Sequence, residues 1–141
     1  MASDRIDDLM KQIETRGEKF GLEASALSDN IHRLEQRLAR LHGKEGVDVE
    51  ADGVSLSFDG DGSGWHLWIA DDASSGGADS ERSWQHLRSA SIERKAAAVR
   101  LVPMLLEKLA AAQEKKLSRV EEALGKANLL LSDVLADRKE A

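Results

Sequence analysis

Apolar residues recur at every seventh position through the first third of the chain. The first set comprises Ile6, Ile13, Phe20, Leu27, Leu34 and Leu41, and the second comprises Met10, Gly17, Ala24, Ile31 and Leu38. A seven-residue apolar repeat keeps one stripe of a helix facing a partner helix, as in left-handed coiled coils. The pattern therefore predicts a heptad helix over residues 1–43 that associates through this stripe.

Two glycines lie inside this predicted helix. Gly17 and Gly21 each cost about 1 kcal/mol relative to alanine in a helix interior,. The heptad register passes both glycines without a phase shift, which favours one continuous helix. The alternative is a break between Arg16 and Leu22, which would give a helical hairpin.

The apolar period changes to two over residues 44–72. Apolar and polar residues alternate in three short segments, at 47–51, 54–58 and 65–69. Asp52-Gly53 is typical of a two-residue hairpin turn, whose central positions both require positive φ, and a longer turn is expected over residues 59–64. This pattern predicts a three-stranded antiparallel meander with one apolar face, which needs a covering helix.

The helical period returns after a polar linker and docking segment at residues 73–90. From residue 91 to residue 141 apolar residues again trace a helical stripe, which includes Leu117, Val120, Leu124, Ala127, Leu131 and Val134. Pro103 lacks a backbone donor and clashes with the preceding turn, so it predicts a kink or a break near residues 99–102. Residues 91–109 are expected to cover the sheet. The predicted fold is a single α+β domain with coiled-coil-like helix pairing.

The partner of the amino-terminal stripe is open at this point. It is either the distal carboxy-terminal helix of the same chain or a second copy of the protein. The irregular spacing between Leu109 and Leu117 would make the two stripes pair imperfectly within one chain,, which favours a homodimer. The predicted self-association residues are Ile6, Ile13, Phe20, Leu27, Ile31, Leu34, Leu38 and Leu41.

Composition limits the chemistry. The chain has no cysteine, which excludes disulfides and thiolate metal sites,. Charged residues make up 33% and aromatic residues 4% of its 141 residues, a balance typical of a helix-rich protein with a modest core. The polar amino terminus lacks the apolar segment of a signal peptide, and no apolar run reaches the roughly 20 residues needed to span a bilayer. A cytoplasmic protein without a membrane partner is expected.

Basic residues concentrate in the final third of the chain. Residues 44–81 carry 1 basic and 10 acidic groups, whereas residues 82–141 carry 12 basic and 8 acidic groups. The basic segment 82–119 is compatible with phosphate contacts, and the candidate residues are Arg88, Arg94, Lys95 and Arg100. A nucleic-acid-associated accessory or regulatory protein is therefore an alternative function. The acidic net charge of -6 and the lack of a nucleic-acid-binding motif argue against it.

The segment Asp59–Gly64 matches the first half of an EF-hand calcium loop,. The match ends there, because Ala70 occupies the twelfth position, where a carboxylate should close the site. Aspartate and glycine are also the ordinary residues of a hairpin turn. A weak calcium site is a further alternative, and the plain turn is the favoured interpretation.

His66 and Trp68 share the polar face of the predicted sheet and form a candidate partner surface, since aromatic residues are enriched at interface hot spots,. No nucleophile, base or paired carboxylates fall into a spacing with a mechanism. The sequence therefore predicts neither an enzyme nor a cofactor. Its leading interpretation is a non-enzymatic self-association module, with an unidentified protein as a further partner.

Overall fold

The computed structural model describes residues 2–71 and 83–140. The elements are α1 (Ala2–Ala39), β1 (Val47–Ala51), β2 (Val54–Asp61), β3 (Gly64–Asp71), β4 (Gln85–His86), a 3-10 turn (Leu87–Ser89), α2 (Ile92–Val99) and α3 (Val102–Glu140). This order confirms the predicted α+β fold with long helices at both ends. Most of the predicted linker at 73–90 lies outside the described residues.

Helix α1 is continuous across both internal glycines. A Cβ atom added at Gly17 or Gly21 would meet nothing within 4 Å, so neither residue marks a close approach of another element. The two glycines do not interrupt the helix, which spans 38 residues. The alternative helical hairpin is not formed.

The sheet has four antiparallel strands in the order β1-β2-β3-β4, one more than predicted. Asp52 and Gly53 have φ values of 53° and 76°, as the two-residue hairpin required. The predicted long turn at 59–64 is wrong, because β2 extends to Asp61, which pairs with Gly64. Only residues 62 and 63 form the turn.

Strand β4 is the element that the alternating pattern missed. It has two residues, and His86 pairs with Trp68 while Gln85 pairs with Ile69. Two residues are too few to show a period. Among the described residues, the short strand also leaves most of the β3 edge without a backbone partner,.

The core lies between the apolar face of the sheet and parts of all three helices. The register aligns Val47, Phe58 and Leu67 across three strands, and Val49, Leu56 and Ile69 in the next row. The helices contribute Ile31 and Leu38 from α1, Ala98 from α2, and Leu101, Leu105 and Leu109 from the region of α3. The expected cover by residues 91–109 is therefore present, and α1 adds to it.

The predicted kink is a break between two helices. Ser91 caps α2, because its side chain accepts a hydrogen bond from the backbone amide of Arg94. Helix α2 ends at Val99, and α3 begins at Val102. Pro103 therefore lies in the first turn of α3, where backbone N–H groups have no partner within the helix. In this position proline costs little.

Helix α1 crosses the sheet antiparallel to β3. Glu35 accepts a hydrogen bond from the Leu67 amide, whereas Lys44, beyond the end of α1, lies 5.5 Å from the ring of Trp65. Residues 3–23 precede the part of α1 that packs on the sheet, and their side chains are exposed. We call residues 3–23 the α1 arm.

Helix α3 crosses the sheet antiparallel to β1. Lys108 Nζ donates to Asp48 O at 2.7 Å, and Lys116 Nζ donates to Lys44 O at 2.8 Å. Because β1 and β3 run in the same direction, α1 and α3 do so too. We call residues 117–136 the α3 arm; it leaves the sheet at the end opposite to the α1 arm. The rest of the described chain forms the head.

Candidate functional site

The predicted self-association stripe divides into two halves with different environments. Ile31 and Leu38 are only 3% and 5% exposed and belong to the core of the head. Leu27, Leu34 and Leu41 pack against the same core. These five residues pack α1 on the sheet of its own chain. Only the amino-terminal half of the predicted stripe therefore remains available for association.

The amino-terminal half of the stripe has no partner among the described residues. Ile6, Ile13 and Phe20 each expose about 60% of their surface, at 60%, 59% and 59%. Leu9 and Met10 are exposed beside them. The α1 arm therefore carries an apolar stripe into solvent.

The α3 arm carries a second and wider apolar stripe. Its large exposed residues are Leu117, Val120, Leu124, Leu129, Leu130, Leu131, Val134 and Leu135, each more than half exposed. Because the two arms leave the sheet at opposite ends and both stripes are exposed, they do not cover one another within the chain. The structure thus answers the question of intramolecular pairing that the sequence left open.

The predicted partner surface on the sheet is largely occupied by the chain itself. The His66 side chain is 12% exposed, its Nδ1 atom lies 3.3 Å from Glu35 Oε1, and its Nε2 atom lies 3.0 Å from Ser63 Oγ. Trp68 is half-buried and stacks on His86 at 4.1 Å between ring centroids. This polar cluster joins α1, the β2–β3 turn and β4.

Glu35 is the residue that organises the polar cluster. It is 4% exposed, and its Oε2 atom accepts the Leu67 amide at 3.0 Å. That amide points to the edge of β3 that the short β4 leaves uncovered, so the carboxylate continues the hydrogen bonding of the sheet. A buried carboxylate needs such partners, because burial without them is unfavourable.

Asp61 and Ser63 close the turn next to His66. Ser63 donates from both Oγ and N to Asp61 Oδ1, at 2.6 and 2.7 Å. The hydrogen bond from the Ser63 hydroxyl, then that from its amide, lowers the pKa of the Asp61 carboxyl below its usual 3.8, and His66 and His86 add a smaller favourable charge effect,.

Glu35, His66 and Ser63 stand in the order carboxylate, imidazole, hydroxyl that serine hydrolases use. Here, however, the Ser63 hydroxyl donates its proton to Asp61, so His66 does not accept it. Activation of a nucleophile requires the hydroxyl to donate to the imidazole. These contacts join the β2–β3 turn to α1.

We expect Ser63→Ala to raise the pKa of Asp61 towards its ordinary value, because the substitution removes the hydroxyl whose hydrogen bond does most to lower that pKa. NMR titration of the Asp61 carboxyl carbon measures this shift. A lowered carboxyl pKa stabilises the fold at pH values above the ordinary pKa, and this contribution to stability is lost as the pH falls through the lowered pKa. The variant lacks most of this contribution, so it should lose less stability on acidification. Ser57→Ala, whose hydroxyl donates to Val47 O, is the control, and an unchanged Asp61 pKa in Ser63→Ala would refute the assignment.

The remaining ring of the polar cluster is His86. Its ring lies 4.6 Å from that of His66, edge to face, and its buried Nδ1 has no hydrogen-bond partner within the described ranges. Across those same ranges no three His, Asp or Glu side chains converge as a metal site would require. Asp59 and Asp61 instead accept hydrogen bonds from Gly60 and Ser63 in their own hairpin.

Two of the four candidate phosphate contacts are bonded within the chain. Arg94 pairs with Asp71 at 2.5 Å and with Gln85 at 2.7 Å. Lys95 is 9% exposed, and its Nζ donates to Ser28 Oγ at 3.0 Å. Arg94 and Lys95 therefore form contacts within the head, whereas Arg88 and Arg100 are exposed and remain candidates for phosphate contacts.

Comparison of the chain with models of protein families, with curated proteins and with solved structures finds no match. Over the described residues, no helix has the length and apolar character that a membrane span requires.

Proposed function

We propose that this protein is a non-enzymatic interaction module that self-associates through its projecting helical arms. The observation that supports the proposal is the exposure of two regular apolar stripes, one on each arm. Proteins rarely leave extended apolar patches in contact with water unless the patch is an interaction site. The head then acts as a compact base from which the arms extend.

The energy available from the α3 arm is sufficient for association. Complete burial of a leucine or valine side chain contributes about 1.5–3 kcal/mol. Seven such residues near one face would together contribute about 10–21 kcal/mol, compared with the cost of about 4–15 kcal/mol that association imposes through lost translational and rotational freedom. The stripe is therefore of the size that association of two chains requires.

A charge placed within the stripe should abolish self-association. We expect wild-type protein to sediment as a dimer and Leu124→Asp to sediment as a monomer, because an aspartate at the centre of the stripe would have to be buried without a partner. Leu124 is 58% exposed in the single chain, so the head should keep its melting temperature. Sedimentation velocity and circular dichroism measure the two effects.

Ser132→Asp is the matched control, since Ser132 is exposed on the same arm but lies outside the apolar stripe. It adds the same charge and should leave the dimer intact. A dimer that survives Leu124→Asp unchanged would contradict the proposed use of the α3 arm.

A further inference from the structure

We infer that the α3 arm pairs with the α3 arm of a second copy in antiparallel orientation, centred between Gly125 and Lys126. This inference rests on the proposed self-association and specifies its geometry. The arm has an unpartnered stripe with successive spacings of three and four residues from Leu117 to Val134, and every one of its positions is leucine, valine or alanine. That spacing assigns leucines to heptad position a and valine or alanine to position d.

Antiparallel pairing matches large residues to smaller ones in every layer. Reversal of one helix places each a residue opposite a d residue of the partner. Leu117 then faces Val134 of the second copy, Leu131 faces Val120, and Leu124 faces Ala127. Every layer contains one leucine and one smaller residue, so the two helices keep a constant separation along the interface.

Parallel pairing of the same stripe would place like positions together. Parallel two-stranded coiled coils prefer β-branched residues at a and leucine at d. The α3 arm has the reverse arrangement, with leucine at Leu117, Leu124 and Leu131 and valine at Val120 and Val134. In the parallel orientation the two heads would also lie side by side at the same end of the interface. Each α3 arm begins directly after Lys116, which is bonded to the head.

The positions flanking the stripe carry no opposing like charges in the antiparallel arrangement. Ala123 lies beside Leu130 of the second copy, and Glu121 lies beside the neutral Asn128. The last turn of each α3 reaches the base of the other arm, where residues 108–119 carry four basic groups and one acidic group. The partial negative charge of a helix carboxyl end is favourable next to such a basic segment.

The α1 arm does not fit the same arrangement with itself. An antiparallel α1 pair would place Ile6 opposite Gly17 and would leave a gap in the layer. It would also bring Asp7 beside Glu14 of the second copy, and Glu14 beside Asp7, on one side of the interface. Like charges at such close contacts are unfavourable, so the charge pattern selects α3.

The exposed area is sufficient for a stable pair. Seven leucine and valine residues of the α3 arm are each more than half exposed: Leu117, Val120, Leu124, Leu130, Leu131, Val134 and Leu135. Their burial would remove on the order of 700 Å² from solvent per copy, compared with about 800 Å² per partner in an interface of standard size.

Cysteine cross-linking of the full chain tests the orientation directly, because the protein has no native cysteine. Leu117→Cys and Val134→Cys are prepared separately with tags of different length, mixed, and treated with a short bifunctional thiol reagent. The mixture should give a cross-linked heterodimer. Neither variant alone should cross-link with itself, since the two copies of residue 117 would lie roughly 26 Å apart along the helix axis at 1.5 Å per residue.

Three results would overturn the inference. Self-cross-linking of Leu117→Cys would show a parallel pair. Absence of cross-links in a protein that light scattering shows to be a dimer would mean that another surface holds it together, so the proposed self-association would stand without this geometry. A monomer without cross-links would refute both. Circular dichroism verifies that each variant is folded, as expected for substitutions at exposed positions.

Discussion

Replacement of Ile31 by alanine should lower the free energy of unfolding by about 2–5 kcal/mol, whereas Ile13→Ala should change it by less than about 0.5 kcal/mol. Both isoleucines belong to the same heptad pattern. Ile31 is 3% exposed within the core of the head, and Ile13 is 59% exposed on the α1 arm. Removal of methyl and methylene groups leaves a cavity only at the buried position.

Urea denaturation of both variants beside the wild-type protein measures this difference. The experiment is run at one low protein concentration, so that association contributes equally to all three. Equal destabilisation by the two substitutions would contradict the division of α1 into a buried half and a free half.

Removal of the Glu35 carboxylate should be the second large effect. We expect Glu35→Ala to destabilise the fold by about 1–3 kcal/mol, because it leaves a buried donor without its acceptor. The Leu67 amide loses its 3.0 Å hydrogen bond, and His66 Nδ1 loses its 3.3 Å contact. The hairpin turn would also lose its link to α1.

Hydrogen exchange gives this prediction a local measurement. The Leu67 amide should exchange faster in Glu35→Ala than global destabilisation alone explains. Gln36→Ala is the control, since Gln36 is the exposed neighbour on the same helix and should have little effect. If Glu35→Ala behaved like this control, Glu35 could not be the residue that completes the edge of β3.

Much of the fold follows from local patterns. The heptads predict both long helices, and Asp52-Gly53 predicts its turn because few residue pairs accept two positive φ values. Pro103 predicts the interruption between α2 and α3. These features depend on residues that are close in sequence, which is why the sequence alone suffices for them.

Features that depend on distant residues were missed. A heptad stripe shows that a helix is amphipathic, but it does not show whether a sheet or another helix covers it. Leu27 to Leu41 therefore appeared to be association residues, whereas they pack on the sheet of their own chain. The alternating pattern does not predict β4, because a strand of two residues is too short to show an apolar period of two.

The sequence does not predict the polar cluster, for a related reason. The alternating pattern places His66 and Trp68 on the polar face of the sheet, and such a face is ordinarily exposed to solvent. The contact between Glu35 and His66 joins residues 31 positions apart, and a glutamate on a charged helix resembles any solvent-exposed residue. A weak signal existed, since Glu35 directly flanks the apolar stripe on the helix surface, in the heptad position next to Leu34,.

We propose that a second copy covers the apolar stripe that the α3 arm of a single chain exposes. Static light scattering of the wild-type protein across a range of concentrations tests this proposal. We expect the mass of two chains, with dissociation to one chain on dilution. The mass of one chain at every concentration would show that no second copy covers the stripe.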